Sequence, residues 1–139
     1  LKNIIKENCL EKRVFFVGGG IDDNKLLGFY RNAELFVLTP VEENNQFEGF
    51  GIVYLEAAAS GLPIIATNNS GATSATKDGY NSILISQNDP QKTANAIVKI
   101  LSDDALKIGL KSNGREWAKE FSWEKIIKKY IEIYNAKHY

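Results

Sequence analysis

The chain contains no methionine and one cysteine, Cys9, so no internal disulfide can form and redox compartment is left open. It has no apolar run near the roughly 20 residues that span a bilayer, and no signal-peptide pattern. An excess of either charge is also missing. Lys plus Arg and Asp plus Glu number 17 each, which excludes a global polyanion-binding character. The lysines of KIIKKY near the C-terminus read as the wet side of a helix rather than a nucleic-acid patch. Histidine is limited to His138, one residue from the end, which reads as a frayed surface group. No repeat, linker or low-complexity segment divides the 139 residues, so one domain with an unstapled core is expected. The chain opens at Leu1 in a helical pattern, and with methionine absent it is expected to be a piece of something longer.

What is present alternates between short apolar runs and helical periods. Four strands are expected, at VFFVG (14–18), LFVL (35–38), PIIAT (63–67) and SILIS (82–86). Between them a helix starts at Asp22 or Asp23 and buries Leu26, Leu27, Tyr30 and Ala33; another spans about 51–60 and stops at Gly61 and Pro63. Asp89-Pro90 opens a third, with Ala94, Ile97, Val98 and Leu101 as its stripe, and helices near 104–120 and 123–136 follow, the last capped by Ser122. Residues 1–10 suggest the end of a helix. Strands apolar along their length, alternating with helices, predict an α/β class with a Rossmann-like parallel sheet covered on both faces.

The chemistry concentrates in EGFGIVYLEAAASGLP, residues 48–63, after the second expected strand. Ligands of open parallel sheets sit beyond the C-terminal ends of strands. Gly49 and Gly51 permit a tight turn there and a close approach. The amides of Phe50, Gly51, Ile52 and Val53 become the unpaired donors of a new helix and, with its dipole, suit a phosphate. Glu56 then lies among Ile52, Val53, Leu55 and three alanines, where a carboxylate needs donors or a raised pKa, and a ribose diol offers two hydroxyl donors. Plainer readings stand beside this one. An acidic Glu48 near a helix start is favourable for its dipole alone, and Glu56 is also compatible with a helix edge or a lysine partner.

The segment resembles the C-terminal, donor-binding domain of retaining GT-B glycosyltransferases of the group 1 (family 4) class, whose Glu-x7-Glu motif it reproduces from Glu48 to Pro63. FYRNAELFVLTP, DGYNSILI and FSWEKI are similar to further ordered segments of that family, so the resemblance runs through the whole chain. It implies transfer of a sugar from a nucleotide-diphosphate donor with retention, without metal or other cofactor. By position, Glu48 (the catalytic candidate) touches hydroxyls of the donor sugar. Gly49 and the backbone of Phe50, Gly51, Ile52 and Val53 hold sugar and phosphate, and Glu56 holds the ribose. The two carboxylates are then not a glycosidase pair. The acceptor, a glycan or lipid-linked molecule, is expected to be read by a separate N-terminal domain not in this sequence. The family's first two strands and a basic pair on one of them are likewise not in it. In the family order 3-2-1-4-5-6 those strands fall between VFFVG and LFVL, so the chain by itself is expected not to catalyse transfer. The resemblance thus implies that residues 1–139 are the donor-binding domain, with an expected cytoplasmic place of work, peripheral at the membrane face, and no nucleic-acid partner.

One departure is local: SGATS stands where the family has G-G-x-P-E, with Gly71 kept and Ser74 in the glutamate's place. A non-catalytic nucleotide-binding or assembly module of GT-B-like fold is the alternative, and an epimerase or phosphorylase on the same fold is a third. VGGGID lacks the third glycine of a dinucleotide fingerprint, though Val17 to Gly19 fall near the donor base by resemblance. Trp117, Phe121 and Trp123 read as packing between the last helices, Cys9 as a small core or boundary residue, and Lys77 and Asp78 as turn residues.

Overall fold

The computed structural model describes residues 1–43, 49–68 and 71–136. Three short apolar runs pair side by side, all parallel: β1 (Phe36–Leu38), β2 (Ile64–Thr67) and β3 (Ser82–Ile85), in the order β1-β2-β3. The register sets Phe36 beside Ile64 and Ile64 beside Ser82. Side chains alternate along a strand, so Ile64 and Ala66 face one side and Ile65 the other. On the first side lie Tyr54, Ala57 and Ala58 of α3 (Ile52–Ala59) and Ala72 and Ala75 of α4 (Ala72–Ala75). On the second lie Ala96 and Ile100 of α5 (Pro90–Ser102) and Leu110 of α6 (Asp104–Lys119). All four residues of β2 are buried, as a central strand covered twice requires. The expected α/β layering is the one that forms.

Helix starts follow the sequence signals. Asp22 accepts the Lys25 amide at 3.0 Å and opens α2 (Asp23–Asn32), and Asp89 accepts the Lys92 amide at 2.8 Å with Pro90 just inside α5. Gly61 closes α3 in the left-handed region (φ 76°), where its amide bonds to Ala58 and that of Leu62 to Ala57. The guanidinium of Arg115 lies over this glycine, in the space a side chain would occupy. α1 (Lys2–Glu7) and α7 (Trp123–Ala136) bury none of their residues. The Ser122 carbonyl receives the Lys125 and Ile126 amides at the start of α7. Among the described residues no helix is long and apolar enough to cross a membrane.

Several expectations are corrected. Residues 14–18 form no strand, and Phe15 is 78% exposed; among the described residues no strand lies beside this run to take its hydrogen bonds. Leu26 and Leu27 of α2 and Ala33 just after it are exposed, and Tyr30 is the residue by which the helix joins the core. On α5 the sheet takes Ala96 and Ile100, while Val98 and Leu101 face outward. Apolar residues cover a broad arc of that helix opposite Lys92, Asn95 and Lys99, so stripes one residue apart both fit the helical period; the strands select the frame, and Ile97 of the expected stripe is partly buried with it. Cys9 is exposed rather than in the core. Trp123 is also exposed, whereas Trp117 packs against Phe121 as expected, and its indole N–H donates in addition to the Ala75 carbonyl at 2.8 Å.

Candidate functional site

The loop after β1 is tied to the C-terminal ends of the strands. The Thr67 hydroxyl donates to the Pro40 carbonyl at 3.0 Å, and the Glu42 amide donates to the Gln87 side chain at 3.1 Å. The Tyr54 hydroxyl donates to the Leu38 carbonyl at 2.9 Å, which fixes α3 against the last residue of β1. Chain leaving the strand therefore re-enters as α3 above the rim where open parallel sheets take ligands.

Gly51 makes the turn into α3 in the left-handed conformation, φ 79° and ψ 56°, which favours a residue without a Cβ. The Tyr54 amide bonds back to the Gly51 carbonyl at 2.9 Å, and the first-turn amides of Ile52 and Val53 have no acceptor within the helix by its geometry. α3 has no acidic residue in its first turn. Its N-terminus thus presents amide donors and the positive end of the dipole without a carboxylate in that turn to compete. Phe50 lies beside this turn with its ring 5.8 Å from Phe121, which is in turn 5.5 Å from Trp117. This aromatic row anchors the Phe50 turn to α6, a connection not readable from sequence because its members are some 70 positions apart.

Glu56 is not buried. The alanines at 57 and 58 turn toward the sheet, and Glu56 stands with Ile52, Val53 and Ala59 on the opposite, exposed side of α3. The expected conflict between charge and apolar surroundings does not arise, because one helix carries both faces. A donor is nevertheless supplied from α2: the Tyr30 hydroxyl bonds to Glu56 Oε2 at 2.9 Å. Tyr30 is 9% exposed, and burial first, then the hydrogen bond and charge of Glu56, push its phenol up to about 12. Glu56 stands between two hollows. One, of about 420 Å³, is lined by Phe50, Ile52, Phe121 and Trp123; the other, of about 330 Å³, by Asp23, Leu26, Leu27 and Tyr30.

The structure therefore brings Phe50, Gly51, Ile52, Val53 and Glu56 onto one helix start, with Gly49 just before it. Glu48 lies outside the described residues, as does His138. Ser74 falls on the exposed side of α4, its amide donating to the Gly71 carbonyl at 3.0 Å. Lys77 precedes β3 and holds its ammonium 5.5 Å from the Tyr80 ring centre, and Asp78 accepts the Leu84 amide at 2.8 Å, so both serve the turn. Val17 to Gly19 are exposed, with Gly18 at φ 73°. Tyr30, which donates to Glu56, is the neighbour of the candidate site that sequence reasoning missed; it appeared only as one apolar position of a helical stripe.

Comparison with known proteins places these features in a family. A D-inositol 3-phosphate glycosyltransferase of Corynebacterium urealyticum is 32% identical over 112 residues, covering 81% of this chain and 25% of that protein. The fold superposes on Anabaena HepE, solved in complex with UDP, with a TM-score of 0.83 and 26% identity, over 97% of this chain and 35% of HepE. It superposes also on the C-terminal domain of a glycosyl transferase group 1 family protein (LpcC) of Francisella tularensis, with a TM-score of 0.71 and 28% identity, over 85% of this chain and 58% of that one. The chain thus spans a quarter to just over half the length of these proteins. Residues 1–117 match the family described as glycosyl transferases group 1, and with an α/β layering that matches GT-B Rossmann-like C-terminal domains the chain belongs to that family.

Proposed function

We propose that this chain binds the nucleotide-diphosphate sugar donor of a retaining glycosyltransferase, the whole protein passing the sugar to a glycan or lipid-linked acceptor. The observation that carries the reading is the pairing on α3 of a left-handed Gly51 at its start with Glu56 on its exposed face. The diphosphate lies over the amides of Phe50 to Val53, the ribose hydroxyls donate to Glu56, and Glu48 takes hydroxyls of the sugar. As the anomeric C–O bond to the diphosphate breaks, negative charge grows on the leaving oxygens and positive charge on the sugar ring. Amides and a helix dipole already aimed at the diphosphate stabilise that change without reorganising. No metal takes part in this reading, since the helix start supplies the charge stabilisation together with basic side chains of the whole protein. HepE was solved with UDP and also with UDP-glucose, which supports a uridine donor as the first to test. The protein works in the cytoplasm, peripheral at the membrane face in the case of a lipid-linked acceptor.

Calorimetric titration of the intact protein with UDP, GDP and ADP tests the reading, beside Glu56→Ala. One nucleotide should bind in the micromolar range and weaken in the variant. Absence of binding by all three sinks it and favours the non-catalytic assembly module, toward which Ser74 in place of the family's glutamate already leans.

A further inference from the structure

We propose that Tyr30 is a positioning residue for the donor site, holding the Glu56 carboxylate in the orientation that receives the ribose diol. The inference rests on the reading of Glu56 as the ribose ligand and adds a residue from another helix to it. A glutamate on an exposed helix face ordinarily samples many rotamers, and a ligand that needs one of them must freeze the rest. Here one oxygen is already tethered: the Tyr30 hydroxyl donates to Oε2 at 2.9 Å across 26 residues of sequence. A carboxylate has about four lone-pair positions, so a single donor leaves Oε1 available to both hydroxyls of a diol.

The tether is itself held. The Tyr30 ring packs 6.0 Å from Phe36 on β1, and Phe36 meets the Tyr54 ring edge-on at 5.9 Å. Tyr54 is fully buried and bonded to Leu38, so the row runs from Glu56 into the core and back to the strand end beneath the site. Other large residues of α2, Leu26, Leu27 and Phe29, are exposed, which makes Tyr30 the buried contact of that helix. A phenol that stays protonated across the physiological range remains a donor whenever the nucleotide arrives.

The alternative is a purely structural bond joining α2 to α3, and a two-way experiment separates them. The intact protein is titrated with UDP, GDP and ADP and with their 2′,3′-dideoxy counterparts, as wild type, Tyr30→Phe, Glu56→Ala and the double variant. For the nucleotide that binds, Tyr30→Phe should raise Kd about tenfold, the worth of one hydrogen bond to a charged group. The double variant should bind no more weakly than Glu56→Ala alone, and dideoxy affinity should be the same in all four proteins. Full affinity in Tyr30→Phe beside a loss in Glu56→Ala overturns the role of Tyr30 and leaves the ribose reading standing. Equal weakening of ribose and dideoxy ligands by Tyr30→Phe also overturns it, since that is what a structural bond would do. A dideoxy nucleotide that binds wild type as well as its parent overturns the ribose reading itself.

Discussion

The Tyr54 hydroxyl and the Leu38 carbonyl, 2.9 Å apart, join the helix that carries the candidate site to the strand end beneath it. Tyr54 has no exposed surface, so the bond is made where water cannot replace it. Tyr54→Phe keeps the ring against Phe36 and removes only the hydroxyl. It should cost about 1 kcal/mol, the worth of one buried hydrogen bond, and lower the denaturant midpoint without changing the slope. A change below about 0.3 kcal/mol would show that α3 is held by apolar packing alone.

Gly51 allows a sharper test of the helix start. At φ 79° and ψ 56° an L-residue with a Cβ is strained, and asparagine tolerates the conformation better than alanine. Gly51→Ala should therefore destabilise by about 1 kcal/mol and weaken nucleotide binding by displacing the Phe50–Val53 amides. Gly51→Asn should retain more of both. The ranking Gly, Asn, Ala in unfolding and in titration is the expected result; equal behaviour of Asn and Ala would mean that the turn adapts.

Much of this architecture was legible because its signals are local. Asp22, Asp89-Pro90 and Gly61 mark helix ends through bonds within a few residues, and the structure uses all of them. The class followed from apolar strands alternating with helices, and the helix expected at about 51–60 forms as Ile52–Ala59. What failed depended on partners far along the chain. VFFVG has the composition of a strand, but a strand needs a neighbour, and composition cannot show that none lies beside it among the described residues. The apolar letters around Glu56 suggested burial, yet only the sheet decides which side of α3 faces inward. Tyr30 could not be linked to Glu56 because no sequence periodicity spans two helices separated by a strand.

The choice of frame on α5 has a direct consequence for stability. Ile100 is fully buried against β2 and β3, whereas Val98, two positions away, is 65% exposed. Ile100→Ala should cost about 2–5 kcal/mol, enough to threaten a domain of this size. Val98→Ala should stay within about 0.5 kcal/mol of wild type. Comparable losses in thermal unfolding would mean that α5 presents the other stripe to the sheet.

Tyr30 also predicts an alkaline signature. Burial, the bond to Glu56 and the Glu56 charge raise its phenol from an ordinary value near 10 to about 12. As pH rises through 10 the unfolded chain releases this proton first, while the folded chain still holds it. Stability that is complete below pH 10 is therefore lost progressively up to about pH 12. Tyr30→Phe has no such proton to lose. The stability difference between wild type and Tyr30→Phe, measured by urea unfolding, should be constant from pH 7 to 9 and shrink between pH 10 and 12. In a Glu56→Gln background two of the three causes weaken, so the decline should begin at the same pH, finish at a lower one and be smaller. A difference that stays flat to pH 12 would show that the phenol titrates alike in folded and unfolded chains, and that the hydrogen bond to Glu56 contributes nothing to holding its proton.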